Sequence, residues 1–158
     1  KYLLLGGDPA DQNAFMLREG QMKVLKPAVD AGHVRIVADP FCDKWLRAEA
    51  TRYTEDALVK HPNLAAIVAS NDGTAGGAIA ALQAKGRAGA VPVSGQDADL
   101  EACQNVAKSL QAVTVSAYTD AGAVVSGGLA GGEQIVAAGV NLLTAGEKVR
   151  VAAQASSR

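Results

Sequence analysis

The 158 residues carry 15 Lys and Arg against 16 Asp and Glu, a formal net charge of −1, with 49% hydrophobic but only 4% aromatic residues. That length fits one domain able to bury about 70% of its unfolded surface, so no disulfide or structural metal is needed to hold it. Near-neutral charge gives no extended basic field for nucleic acid or an anionic membrane, and no apolar run reaches the roughly 18 residues that would span a bilayer.

The chain opens Lys1-Tyr2-Leu3-Leu4-Leu5 with no initiator Met, and Gly6-Gly7 breaks the apolar stretch too soon for a secretion signal. This reads as a strand entered in mid-fold, and the expectation is a processed or truncated polypeptide whose preceding portion carries a targeting signal and a further domain. Continuously apolar runs at 2–5, 34–38, 65–69, 90–93 and 113–115 predict five buried strands. Between them the apolar spacing changes to the helical period: Leu17, Val24 and Ala28, then Leu46, Ala50, Tyr53 and Ala57, then Ala75, Ile79 and Leu82, then Leu100, Cys103, Ala107 and Leu110. After Tyr118 come Gly122, Gly127, Gly128, Gly131 and Gly132, each costing a helix about 1 kcal/mol relative to Ala. Helical spacing returns at 133–143, a last short strand is expected at 149–152, and 153–158 reads as a frayed tail.

Alternating strands and helices predict parallel strands joined by right-handed crossovers: an α/β fold, a doubly wound open parallel sheet with helices on both faces. The reading divides the chain into an α/β lobe over 1–118 and a Gly/Ala-rich segment over 119–158 that completes the same domain. Ligands in such sheets sit beyond the carboxyl ends of the strands. Those ends lead into Gly6-Gly7-Asp8-Pro9-Ala10-Asp11-Gln12-Asn13, Asp39-Pro40-Phe41-Cys42-Asp43-Lys44-Trp45, Ser70-Asn71-Asp72-Gly73-Thr74 and Ser94-Gly95-Gln96-Asp97-Ala98-Asp99.

Several chemistries find no support in these loops. The first loop lacks G-x-G-x-x-G and places Asp8 and Asp11 where a pyrophosphate needs bare N–H groups, and the run at Gly127–Gly132 lacks the Lys-Ser/Thr of a P-loop. His33 and His61 precede strands two and three, at the opposite edge, so no nucleophile has a visible base and both read as solvated surface residues. Cys42 and Cys103 make neither a disulfide framework nor a spaced zinc site and read as packed free thiols. Asp97-Ala98-Asp99 invites magnesium or phosphoryl chemistry, but helix capping accounts for Asp72 and Asp99 more simply. No catalytic group, metal or cofactor is expected.

A neutral sugar accounts for more of the set. Its vicinal hydroxyls both donate and accept, planar Asp and Asn side chains engage them, and an indole covers the apolar C–H face. Asn13, Trp45, Asn71 and Asp97 follow strands one to four, and Trp45 is the only indole.

The strings Gly6-Gly7-Asp8-Pro9-Ala10-Asp11-Gln12-Asn13-Ala14, Gly20-Gln21-Met22-Lys23-Val24-Leu25-Lys26-Pro27, Val68-Ala69-Ser70-Asn71-Asp72-Gly73-Thr74-Ala75-Gly76-Gly77-Ala78-Ile79 and Ser94-Gly95-Gln96-Asp97-Ala98-Asp99-Leu100 closely resemble bacterial D-xylose-binding proteins, the type I periplasmic sugar receptors of ABC importers. The resemblance covers residues 1–118. It implies one of two similar α/β lobes, the C-terminal one, with the sugar held in the cleft between lobes and no chemical change. It implies that Asn13 hydrogen-bonds the sugar, Trp45 stacks on it, and Asn71 and Asp97 hold its hydroxyls. Partners implied are a pentose, the membrane permease of an ABC importer and the missing N-terminal lobe; the implied location is periplasmic. Where that family ends a strand Thr-Val-Tyr-Lys-Pro, this chain has Thr114-Val115-Ser116-Ala117-Tyr118, so Ala117 replaces the sugar-binding Lys. The same lobe type also forms the effector-binding core of sugar-responsive transcription regulators, and a small flavodoxin-like enzyme is the remaining alternative.

Overall fold

A computed structural model describes residues 1–119 and 122–125. The predicted elements at 133–143 and 149–152 and the tail at 153–158 lie outside the described residues. In chain order the elements are β1 (Tyr2–Leu5), α1 (Gln12–Asp30), β2 (Ile36–Ala38), a 3-10 turn (Asp43–Trp45), α2 (Arg47–Lys60), β3 (Ala66–Ala69), α3 (Asp72–Ala84), β4 (Val93–Gln96), α4 (Leu100–Ala107), β5 (Val113–Thr119) and β6 (Gly122–Val125).

The strands form one sheet in the order β2-β1-β3-β4-β5-β6. The first five are parallel, as the doubly wound reading expects, and β6 runs antiparallel to β5. Strand order reverses between β1 and β3, so the crevice of the fold opens where the loops after those two strands diverge. Helix α2 packs on α3 and α3 on α4; with right-handed crossovers in this order, α1 alone among the described helices lies on the opposite face.

Strand alternation divides the leucines of β1. Leu3 and Leu5 join Ala50, Ala57 and Leu58 of α2 and Ala75, Ala78, Ile79 and Leu82 of α3 in the main core, whereas the equally buried Leu4 stands outside that cluster. Small residues let the helices approach closely. A Cβ on Gly77 would stand 2.4 Å from the Arg47 carbonyl oxygen and 2.9 Å from the Ala50 Cβ, so α2 lies directly against the α3 backbone there.

Three expectations shift. Strand four starts at Val93, not residue 90, because Ala90 and Val91 close a turn on the Arg87 carbonyl and Pro92 has no N–H to give. In α1 the buried face is Ala14, Leu17, Gln21 and Leu25, leaving Val24 exposed. In α4 it is Ala102, Asn105 and Val106, and Leu100 is 75% exposed, because the cap at Asp99 sets the helical phase.

Candidate sugar-binding site

Parallel strands bring the four loops after β1, β2, β3 and β4 to one edge of the sheet, and with them Asn13, Trp45, Asn71 and Asp97. Among the described residues no hydrogen bond joins any two of these four side chains. Each is set by its own loop and its immediate neighbours.

Asp11 caps α1, its carboxylate accepting from the Asn13 N–H at 2.9 Å, which fixes Asn13 in the first turn with its side chain exposed. The other Asp11 oxygen accepts from Trp45 Nε1 at 3.1 Å. Trp45 itself reaches this position through two consecutive left-handed residues, Lys44 at φ 51° and Trp45 at φ 57°. Asp8 holds that turn by accepting from the Lys44 N–H at 3.0 Å, and its second oxygen accepts from the Ala10 N–H. The indole then occupies the space a side chain at residue 7 would need: a Cβ on Gly7 would lie 2.1–2.3 Å from three of its ring carbons. Trp45 is half-buried, its ring against Gly7 and its N–H tied to Asp11.

Asn71 caps α3 in a reciprocal capping box with Thr74. Its Oδ1 accepts from the Thr74 N–H at 2.9 Å, and Thr74 Oγ1 accepts from the Asn71 N–H at 3.3 Å. Committing Oδ1 to the helix leaves the amide Nδ2 as the donor that side chain offers elsewhere. Just behind it, Gln21 Nε2 donates to Ser70 Oγ at 3.1 Å, a buried tie between α1 and the β3 loop.

Contrary to the expectation that Asp72 caps α3, the cap is Asn71, and Asp72 occupies the first helical position, 4% exposed. Its carboxylate reaches across to the β4 loop and β5. Oδ1 accepts from Gln111 Nε2 at 2.9 Å, and Oδ2 accepts from the Asp99 N–H at 3.1 Å and from Thr114 Oγ1 at 2.8 Å. Gly95 makes room for it, since a Cβ there would stand 2.2 Å from Asp72 Oδ1. Asp99 caps α4, accepting from the Ala102 N–H at 2.7 Å, as expected.

Asp97 stands between these contacts at φ 108° and is exposed, with its N–H donated to the Val115 carbonyl at 2.8 Å. Partial desolvation, with the neighbouring Asp72 carboxylate, raises its carboxyl above the ordinary aspartate value. Burial raises Asp72 likewise, opposed by its hydrogen bonds from Thr114, Gln111 and Asp99.

Arg47 opens α2 and pairs in bidentate fashion with Glu101 in the first turn of α4, at 2.7 and 2.6 Å. The pair straps α3 where Gly76 leaves the guanidinium room. At the rim, the Phe15 and Phe41 rings pack with centroids 4.9 Å apart, tilted by 34°. Of the two thiols, Cys42 is fully buried and burial pushes it up to about 11, whereas Cys103 is half-buried with Sγ 3.5 Å from the Ala98 carbonyl. His33 is exposed and His61 half-buried, both at the opposite edge.

Taken together the loops offer an amide donor, carboxylate acceptors and a fixed indole, which suits a neutral polyol. Among the described residues no group of three His, Cys, Asp or Glu could hold a metal ion, and no helix is long and apolar enough to cross a membrane. Sequence reading passed over Asp11 and Gly7 as the setting of Trp45, and over Asp72 and Gly95 as the setting of the β4 loop. The glycines at strand ends were the available signal, because a residue without Cβ beside a site marks a close approach.

A family model described as a periplasmic binding protein domain matches residues 1–145. The chain belongs to the periplasmic binding protein family. It is 51% identical over 115 residues to the D-xylose-binding periplasmic protein of Escherichia coli K12, covering 72% of this chain and 35% of that protein. It is 49% identical over 115 residues to the protein of the same description from Haemophilus influenzae, with the same coverage. This periplasmic binding protein chain thus spans about a third of the length of the curated relatives it matches. Among solved structures it superposes on an ABC transporter periplasmic solute binding protein from Actinobacillus succinogenes with bound D-allose, at TM-score 0.63 and 30% identity, over 72% of this chain and 39% of that one. A solute binding protein from Bacillus halodurans with bound myo-inositol gives TM-score 0.65 at 28% identity, over 72% and 38%.

Proposed function

We propose that residues 1–118 form a sugar-binding lobe of the substrate-binding component of an ABC importer, that the sugar is D-xylose, and that it is handed to a membrane permease in the periplasm without chemical change. The observation that carries this reading is half-identity over 115 residues to two D-xylose-binding periplasmic proteins, in a chain whose four strand-end loops meet at one sheet edge. Asn13 and the Asn71 amide give donors, Asp97 gives an acceptor for paired hydroxyls, and the Trp45 ring covers the sugar's C–H face. A second lobe closes the cleft, since one lobe covers only one side of a ligand that such sites bury almost entirely. Ala117 in place of the family's Lys removes a charged donor, which is worth about 1.5–3 kcal/mol, or about one to two decades of affinity.

The test is a fluorescence titration of Trp45 with D-xylose and a panel of pentoses and hexoses, on the complete protein and on this chain alone. A saturable, xylose-selective change is expected in the complete protein, and weak or no response in the isolated chain. No response to millimolar sugar in the complete protein, or tight binding by a proven monomer of this chain, overturns the corresponding part of the proposal.

A further inference from the structure

The buried carboxylate of Asp72 is not accounted for by helix capping, which Asn71 performs, and it has no exposure with which to meet a ligand. Its partners all belong to the far side of the β4 loop. Thr114 Oγ1 donates to Asp72 Oδ2 at 2.8 Å while accepting from the Ala98 N–H at 3.0 Å, and the Asp99 N–H donates to the same carboxylate oxygen at 3.1 Å. Asp72 thereby fixes the direction of the Thr114 hydroxyl: with its proton committed to the carboxylate, the oxygen must present a lone pair to Ala98. Two successive loop amides, one direct and one relayed, are thus tied to one oxygen. Gln111 holds the other oxygen, and the glycine at 95 leaves the carboxylate a fitted place on β4.

The loop so tied has a backbone that does not hold itself. Asp97 at φ 108° and Ala98 at φ 53° both lie in conformations that L-residues rarely adopt, and such conformations persist only where surrounding contacts enforce them. We propose that Asp72 is the positioning residue of the sugar site, holding the Asp97–Ala98–Asp99 backbone through Thr114 so that the Asp97 carboxylate is presented in its binding geometry. The ligand half of this inference rests on the sugar reading above; the anchoring half does not.

The test compares D72N, T114V, T114S and D97A, and the D72N/D97A pair, in the complete protein. Amide hydrogen exchange without sugar reads the anchoring: exchange at Ala98 and Asp99 is expected to rise tenfold or more in D72N and T114V, to return toward wild type in T114S, which keeps the hydroxyl, and to stay unchanged at Leu3, Leu4 and Leu5. Titration with D-xylose reads the positioning: D72N is expected to lose tenfold or more in affinity, yet less than threefold when introduced into D97A, because its effect passes through Asp97. Wild-type exchange at the loop amides in both D72N and T114V overturns the inference, as does affinity loss that multiplies with that of D97A. If wild-type protein shows no response to D-xylose, the sugar reading falls by itself and the exchange rates still decide the anchoring. If D72N fails to fold, the T114V and T114S pair carries both readouts.

Discussion

Asp97 holds a carboxylate where its surroundings do not favour one. Its φ of 108° is a conformation that L-residues rarely adopt, and partial desolvation with the nearby Asp72 charge raises its carboxyl above the ordinary value. A raised value in the folded state means the fold takes up a proton more readily than the unfolded chain, so this contribution is present below about pH 4 and is lost as pH rises through the raised value. Above that window the ionised group works against folding. Asp97→Asn cannot ionise and is expected to be more stable than wild type at pH 7, by less than about 1 kcal/mol once solvent screening of this exposed group is counted, with the gain vanishing below about pH 4. Urea midpoints of both proteins at the two pH values check this, and a variant less stable than wild type at pH 7 contradicts it. The same substitution is expected to weaken sugar binding, a trade of stability for function at one residue.

Between elements, the contact of α2 with α3 depends on two adjacent glycines that differ in what they meet. Alanine at either site gains about 1 kcal/mol of intrinsic helix propensity. At Gly77 the added Cβ meets the Arg47 carbonyl at 2.4 Å, a backbone atom that yields only if α2 moves, so G77A is expected to destabilise by about 2 kcal/mol net. At Gly76 it meets the Arg47 guanidinium at 2.8 Å, the mobile end of a half-exposed side chain that can swing aside at the cost of its pair with Glu101. Such an exposed pair is worth at most about 1 kcal/mol, so G76A is expected to be nearly neutral. Equal losses in urea unfolding for the two variants would refute this account of the helix contact.

Across the whole molecule, what could be read from the sequence was what local pattern encodes. The apolar runs at 2–5 and 65–69 lead to parallel strands, and parallel strands alone suffice to put the loops carrying Asn13, Trp45, Asn71 and Asp97 at one edge. Strand four was misplaced because Ala90 and Val91 are apolar enough for a strand, while the turn that removes them depends on Gly89 at φ 79° and on Pro92. β6 was not foreseen, since among the described residues Gly122–Val125 takes its pairing from β5. Nor was the role of Asp72 legible: its donors come from residues 99, 111 and 114, which only the fold brings to it.

The two thiols, equivalent in composition, are unequal in chemistry. With Cys42 enclosed and pushed up to about 11, only about one part in ten thousand of it is thiolate at pH 7. A thiol-directed dye is therefore expected to react at Cys103 well ahead of Cys42. Cys103 rests against the Ala98 carbonyl, so the native chain already carries a selective attachment point beside the Asp97 loop. An environment-sensitive fluorophore placed there would report on changes at that loop with no residue substituted.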